Sequence, residues 1–314
     1  MSVFSNTAIA THPPKLISVS PKTKALLILF FAILIWGGNW PVMKTGLNHI
    51  TPIWFSMLRF ALGGLSLFIY QLVTKSLYRP KKQDIALILS IGLIQMMLFT
   101  VLGSIAMTQV DAGRSAVLAY TTTLWVLPIS VLVFREALSK SQLIGSLFGV
   151  VGVLVLFNPF SFSWHDPVLL MANGLLLLAA LCWSLCILHL RHSRSNASAY
   201  QLAPWQMLTA TLPLIALGYW IEGPFTGDGS TELWQISLYL GPLATAFCFC
   251  AVNGASRLLP GPFVATAMLG VPVTGLLLSC LFLGEQLTAS LICGTALICG
   301  GIFIVIVRAR QAKH

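Results

Sequence analysis

The chain has 314 residues, 57% of them apolar and only 8% charged. A soluble domain carries roughly 25% charged residues, so this chain lacks the polar surface of a water-soluble globule and reads as an all-α integral membrane protein. Its net charge of +10 comes from basic residues in short runs between apolar stretches, a pattern of positive loops that excludes a nucleic-acid partner.

In chain order, residues 1–24 are polar, contain Pro13, Pro14 and Pro21, and are expected to be a disordered cytoplasmic arm. Ten apolar stretches follow, at about 25–43, 53–73, 85–107, 113–134, 140–158, 167–189, 200–220, 233–254, 262–283 and 288–307. Each approaches the roughly 20 residues that a helix needs to cross a hydrocarbon core. Without sustained alternation they predict helices and exclude barrel strands. No small-residue cleavage site follows the first, which reads as a retained helix. Residues 309–314 are a cytoplasmic tail. The longest loop, near Glu222–Glu232, leaves no room for a soluble catalytic domain.

All seven cysteines lie in apolar stretches of the second half and read as small, reduced packing residues. Cys182 and Cys186 share a helix face, but no His or carboxylate stands beside them to complete a metal site. No metal and no cofactor is expected.

With the N-terminus in the cytoplasm, fifteen of the 18 basic residues fall on the cytoplasmic side. Lys44 and Arg114 fall outside, and Arg59 lies within the second span. Six of the 8 acids lean outward, among them Asp111, Glu222, Asp228 and Glu285. This asymmetry places both termini in the cytoplasm.

The sequence also repeats. A shift of 147 brings Trp36 onto Trp183 and Arg59 onto Gln206. A shift of 149 brings Ser104 onto Asn253, Glu136 onto Glu285, Gly145 onto Gly294 and Gly152 onto Gly301. The units, 25–158 and 159–308, hold five spans each. An odd number inverts the second copy relative to the first, so ten transmembrane helices form two inverted five-helix repeats, a transporter architecture with its site near the midplane.

The stretch Trp36-Gly37-Gly38-Asn39-Trp40-Pro41-Val42-Met43-Lys44, with Pro52 and Met57-Leu58-Arg59-Phe60, resembles the opening of an EamA-type repeat. Phe282-Leu283-Gly284-Glu285-Gln286-Leu287, followed by Gly294 and Gly300-Gly301, does so as well. The resemblance covers about 25–308 and points to the ten-helix branch of the drug/metabolite transporter superfamily. It implies a bacterial inner-membrane carrier, often an exporter of amino acids or related metabolites. It also implies a cavity lined by the first, third, fourth, sixth, eighth and ninth helices, with the fifth and tenth outside. The first repeat departs from the second in having Thr123 where the second has Pro272, its own proline arriving at Pro128. The fourth and ninth helices are therefore expected to bend at different heights.

Polar side chains within spans usually face a bundle interior. Asn39 lies on one stripe with Trp36 and Trp40. These three read as a substrate wall, or as a packing amide with interfacial tryptophans. Trp183 reads as its counterpart or as core. Gln95, Tyr120, Thr121, Thr245 and Asn253 complete the candidate substrate lining, each with helix–helix packing as the alternative. Arg59 is read as a structural charge reaching neighbouring carbonyls or a polar residue, with substrate carboxylate binding as the sharper alternative. Pro128 and Pro272 are candidate bending points, and Glu136 and Glu285 candidate loop or cap residues. No acid lies at mid-membrane, so carboxylate-based ion coupling is not expected. Intramembrane hydrolysis would need a constellation that is absent from these spans, so the chain is read as a carrier and not an enzyme. Its partners are a small-molecule substrate and membrane lipid, and it is a monomer or weak homodimer.

Overall fold

The computed structural model describes residues 20–135, 140–157, 166–259, 264 and 267–311. Among them every regular element is helical. In order these are α1 (Pro21–Gly46), α2 (Pro52–Val73), α3 (Lys82–Met107), α4 (Ala112–Phe134), α5 (Lys140–Phe157), α6 (Pro167–His192) and α7 (Ala199–Ile221). Next comes α8, which runs through Thr231–Leu238, Tyr239–Phe247 and Cys248–Leu258, then α9 (Gly270–Leu283) and α10 (Ala289–Gln311). Six of these described helices (α1 to α4, α6 and α8) are long and apolar enough to cross a membrane. The protein is a multi-pass membrane protein.

Helix starts follow from local chemistry. Proline occupies the first turn of α1, α2 and α6, where its missing N–H would be unpaired in any case. This corrects the expected limit of the N-terminal arm. The helix begins at Pro21, with the Ser20 hydroxyl accepting from Thr23 N, because a proline at that position starts a helix and does not oppose one. At the other end α10 continues to Gln311, past the expected start of the tail at 309.

Large apolar side chains such as Leu132, Leu281 and Phe282 face outward. Alanines such as Ala32, Ala180, Ala203 and Ala244 are fully buried. This is the distribution expected where lipid is the solvent and small residues let helices approach. α5 and α10 pack backbone to backbone: a Cβ on Gly301 would lie 2.5 Å from Gly145 O, and one on Gly152 would lie 2.9 Å from Gly294 O. The two contacts exchange when positions 149 apart are interchanged.

A second pair behaves likewise. A Cβ on Gly92 would meet Gln206 O at 2.7 Å, and one on Gly241 would meet Arg59 O at 2.8 Å. The matched helices α2 and α7 run antiparallel. Gly218 packs on Trp54 at one end of α2 and α7, and Gln71 Nε2 donates to Tyr200 O at the other.

The irregularities recur at the same spacing. π-helical turns occupy Ser90–Leu98 in α3 and Tyr239–Phe247 in α8. α4 ends on left-handed Arg135 (φ 54°) and α9 on left-handed Gly284 (φ 67°). α4 is interrupted at Tyr120–Thr121, and the turn at 268–269 precedes the described part of α9. The expectation that these two helices bend at different heights is thereby corrected. The interruptions stand at matching positions, while Pro128 sits inside the continuous segment Thr122–Phe134 and Pro272 in the first turn of α9, where no intrahelical N–H is needed.

Candidate functional site

The helices enclose a cavity of about 470 Å³, within the roughly 300–1,000 Å³ range of small-molecule sites. α1 contributes Trp36, Asn39, Trp40 and Met43; α2 contributes Arg59; α3 contributes Phe99, Thr100 and Gly103. Ala119, Tyr120 and Thr122 come from the interruption of α4, Trp183 and Ile187 from α6, Met268 and Leu269 from the turn before α9, and Ile302 from α10. The wall is largely apolar and aromatic, and Arg59 is its one ionic side chain among the described residues.

Three wall residues, Trp36, Trp183 and Arg59, are held by neighbouring groups. Trp36 Nε1 donates to Ala244 O at 2.6 Å, inside the π-helical turn of α8. Trp183 meets Phe99 edge to face, with ring centroids 4.7 Å apart, a geometry favoured by the ring quadrupoles. Arg59 Nε donates to Thr245 Oγ1 at 2.7 Å and Nη1 reaches Met43 Sδ at 3.1 Å. Thr245 in turn donates to Leu240 O, five residues back, at 2.7 Å, the spacing of the π register. Asn39 is buried. Its Nδ2 lies 3.1 Å from the same Met43 sulfur, and its Oδ1 has no partner.

Of the residues expected to line a site, Trp36, Asn39, Trp40, Tyr120 and Trp183 come together on this wall, joined by Arg59. Three do not line it. Thr121 turns its hydroxyl onto Leu118 O at 2.6 Å to close the break in α4, leaving its neighbour Thr122 at the cavity. Thr245 stands behind Arg59. Gln95 sits half-buried within the π segment of α3, which turns it away from the face that Phe99 and Gly103 present. The side chain of Asn253 and the whole of Glu136 lie outside the described residues. Among the described residues the lining by helix also differs from that implied by the resemblance: α2 and α10 contribute and α8 does not. The long guanidinium spans the gap from α2, and α8 serves as its backing.

The two ends of the bundle are tied differently. At one, Glu285 accepts from Ala112 N (2.6 Å) and Gly113 N (2.9 Å), capping α4 from the end of α9. Lys44 Nζ donates to Met107 O and, at 2.9 Å, to Val110 O, closing the last turn of α3. Glu222 accepts from Ile53 N and Trp54 N, at 2.9 and 3.1 Å. His49 Nδ1 lies 2.6 Å from Asp228 Oδ2. The hydrogen bond to Asp228 raises the His49 pKa above its usual value. The Ser230 amide, the His49 contact and the Ser230 hydroxyl hold Asp228 down to about 2. At the other end Asp84 is buried and accepts from the Tyr78 hydroxyl (2.8 Å), Lys81 N (2.8 Å) and Ser195 Oγ (2.6 Å), which links the loops that follow α2 and α6. Its bond raises the Tyr78 pKa.

A helical, multi-pass bundle around a partly open cavity of small-molecule size is an architecture suited to a membrane carrier. Comparison with known proteins identifies which kind. The EamA-like transporter family matches residues 23–158 and again residues 170–307. The chain belongs to this family, a class of small-molecule transporters without catalytic activity. It is 26% identical over 282 residues to the uncharacterized transporter YoaV of Bacillus subtilis (strain 168), covering 90% of this chain and 96% of that one. It is 28% identical over 287 residues to a probable amino-acid metabolite efflux pump of Salmonella typhimurium, covering 88% and 93%. A protein known from its crystal structure shares the fold, with a TM-score of 0.63 at 21% identity over 93% of this chain and 99% of that one.

Proposed function

We propose that the protein is an inner-membrane carrier that exports an amino acid or related compound by alternating access, its ten helices forming two inverted repeats over 25–158 and 159–308 with both termini cytoplasmic. The observation that carries this reading is the pair of exchanging contacts, Gly92 on Gln206 O and Gly241 on Arg59 O. Contacts that exchange when repeat-matched positions are interchanged (149 apart for Gly92 and Gly241, 147 for Arg59 and Gln206), with the matched helices α2 and α7 antiparallel, are what a two-fold axis in the membrane plane produces. Two halves so related can trade conformations and open the shared cavity to either side.

The substrate lies among Trp36, Asn39, Trp40, Tyr120 and Trp183. Under this orientation the Glu285, Glu222 and His49 contacts close the outer end, with Glu285 as the gate, and Arg59 faces the same cavity. Export of an amino-acid metabolite is supported by the likeness to the probable amino-acid metabolite efflux pump of Salmonella typhimurium. Thiol-specific labelling of single cysteines tests the mechanism. Ala112→Cys at one end and Ser195→Cys at the other react with a membrane-impermeant reagent from opposite sides of oriented vesicles, and locking one end by crosslinking raises labelling at the other. Equal labelling of both from one side overturns the reading.

A further inference from the structure

Resting on that reading, we infer that the transported species is a monoanion, a 2-hydroxy carboxylate with an apolar body, in preference to the zwitterionic amino acid of the same skeleton. Arg59 lines the cavity, and its guanidinium is charged under all physiological conditions. Among the described residues it has no carboxylate partner: its bonds go to a neutral hydroxyl on Thr245 and to the thioether of Met43, an acceptor of little strength. A buried cation without a counter-charge is costly in a low-dielectric wall. A ligand bearing one negative charge supplies what the protein leaves out.

The charge count then discriminates between ligands. No acid is among the described lining residues, so a bound monoanion leaves the cavity neutral. A zwitterion leaves it with one positive charge and sets an ammonium near the guanidinium. A cationic ligand leaves two. Asn39 refines the choice. It is buried, its Oδ1 is unpartnered, and it meets Arg59 on the same sulfur, each at 3.1 Å. Asn39 belongs to the same wall as Arg59, and its Oδ1 is an acceptor that lacks a donor; a ligand hydroxyl next to the carboxylate is a neutral donor of the kind that acceptor calls for. The Trp183–Phe99 pair accommodates the apolar remainder.

The test uses the full chain in liposomes with four probes of one skeleton: 3-phenyllactate, 3-phenylpropionate, phenylalanine and phenylalanine amide. Binding is read by thermal shift and transport by counterflow. Phenyllactate is expected to bind at least tenfold more tightly than phenylalanine, phenylpropionate to fall between them, and the amide not to bind. Arg59→Gln should remove the preference for the anions, and Asn39→Leu should bring phenyllactate down to the level of phenylpropionate. Tighter binding or faster transport of phenylalanine overturns the inference and leaves the carrier reading standing. Failure of all four probes also overturns it, while the cysteine-labelling experiment, which needs no ligand, judges alternating access separately. If Arg59→Gln does not fold, the probe series on the unaltered protein decides the matter.

Discussion

Glu285 lies at the end of α9, yet its carboxylate closes on the first two amides of α4, Oε1 on Ala112 N at 2.6 Å and Oε2 on Gly113 N at 2.9 Å. A negative charge there satisfies unpaired N–H groups and meets the positive end of the helix dipole, together worth about 1–2 kcal/mol. Glu285→Ala is expected to lower the apparent Tm by that margin. It should also raise labelling of Cys280, retained as the sole cysteine, by a membrane-impermeant thiol reagent. Glu285→Gln, which keeps one acceptor, should fall between. An unchanged labelling rate in Glu285→Ala would show that the contact does not hold this end shut.

Thr245 is bonded on both sides, to Leu240 O and to Arg59 Nε, each at 2.7 Å. Thr245→Val keeps the volume but strips a donor and an acceptor from a buried charged group, which costs about 1–3 kcal/mol. Thr245→Ser retains both bonds and should stay within about 1 kcal/mol of the parent, losing only a methyl. Thermal denaturation in one detergent compares the three. A valine variant as stable as the serine variant would remove Thr245 from the support of Arg59.

Six of the ten expected spans are long apolar helices among the described residues, legible because membrane-scale apolar runs are a property of composition. The glycine pattern was legible because Gly152 and Gly301 must be small where two backbones touch, each against the carbonyl of another repeated glycine, Gly294 and Gly145. The cavity was only partly legible. Trp36, Asn39 and Trp40 form a stripe that any α-helix would present together. Gln95, Phe99 and Gly103 also form an i, i+4, i+8 stripe, which was the signal for Phe99 and Gly103. But the π turn over Ser90–Leu98 rotates Gln95 out of line with the other two, and no local residue type announces it. The choice of Thr122 over Thr121 depends in the same way on the break at Tyr120–Thr121, a tertiary feature. Arg59 was visible as a charge, but that its partners would be a hydroxyl and a sulfur depended on how α8 packs.

Adjacent glycines in α10 offer a controlled contrast. A Cβ on Gly301 would lie 2.5 Å from Gly145 O and 3.0 Å from Gly149 N, whereas one on Gly300 meets nothing within 4 Å. Gly301→Ala forces α5 and α10 apart at a cost of about 1–3 kcal/mol, with a corresponding drop in apparent Tm. Gly300→Ala is expected to be neutral or to stabilise by up to about 1 kcal/mol through helix propensity. Equal effects at the two positions would contradict the close packing of α5 on α10.

The contact between His49 and Asp228 makes the tie between the loops after α1 and α7 depend on pH. The folded-state pKa of His49 is raised, first by its hydrogen bond to Asp228, so its contribution is fully present below about 6.5 and fades as pH rises through the shifted value. Asp228 is depressed to about 2, so its contribution is present above its unfolded value and is lost only as pH falls toward 2. The tie is therefore strongest in mildly acidic solution, where His49 is charged and Asp228 ionised. Glu232, 3.6 Å from His49 Nε2, acts in the same sense. Between pH 6 and pH 8.5 the unaltered protein should lose apparent Tm relative to His49→Gln, the two curves converging at the alkaline end. Parallel curves across that range would mean that the His49 proton contributes nothing to closure of this end.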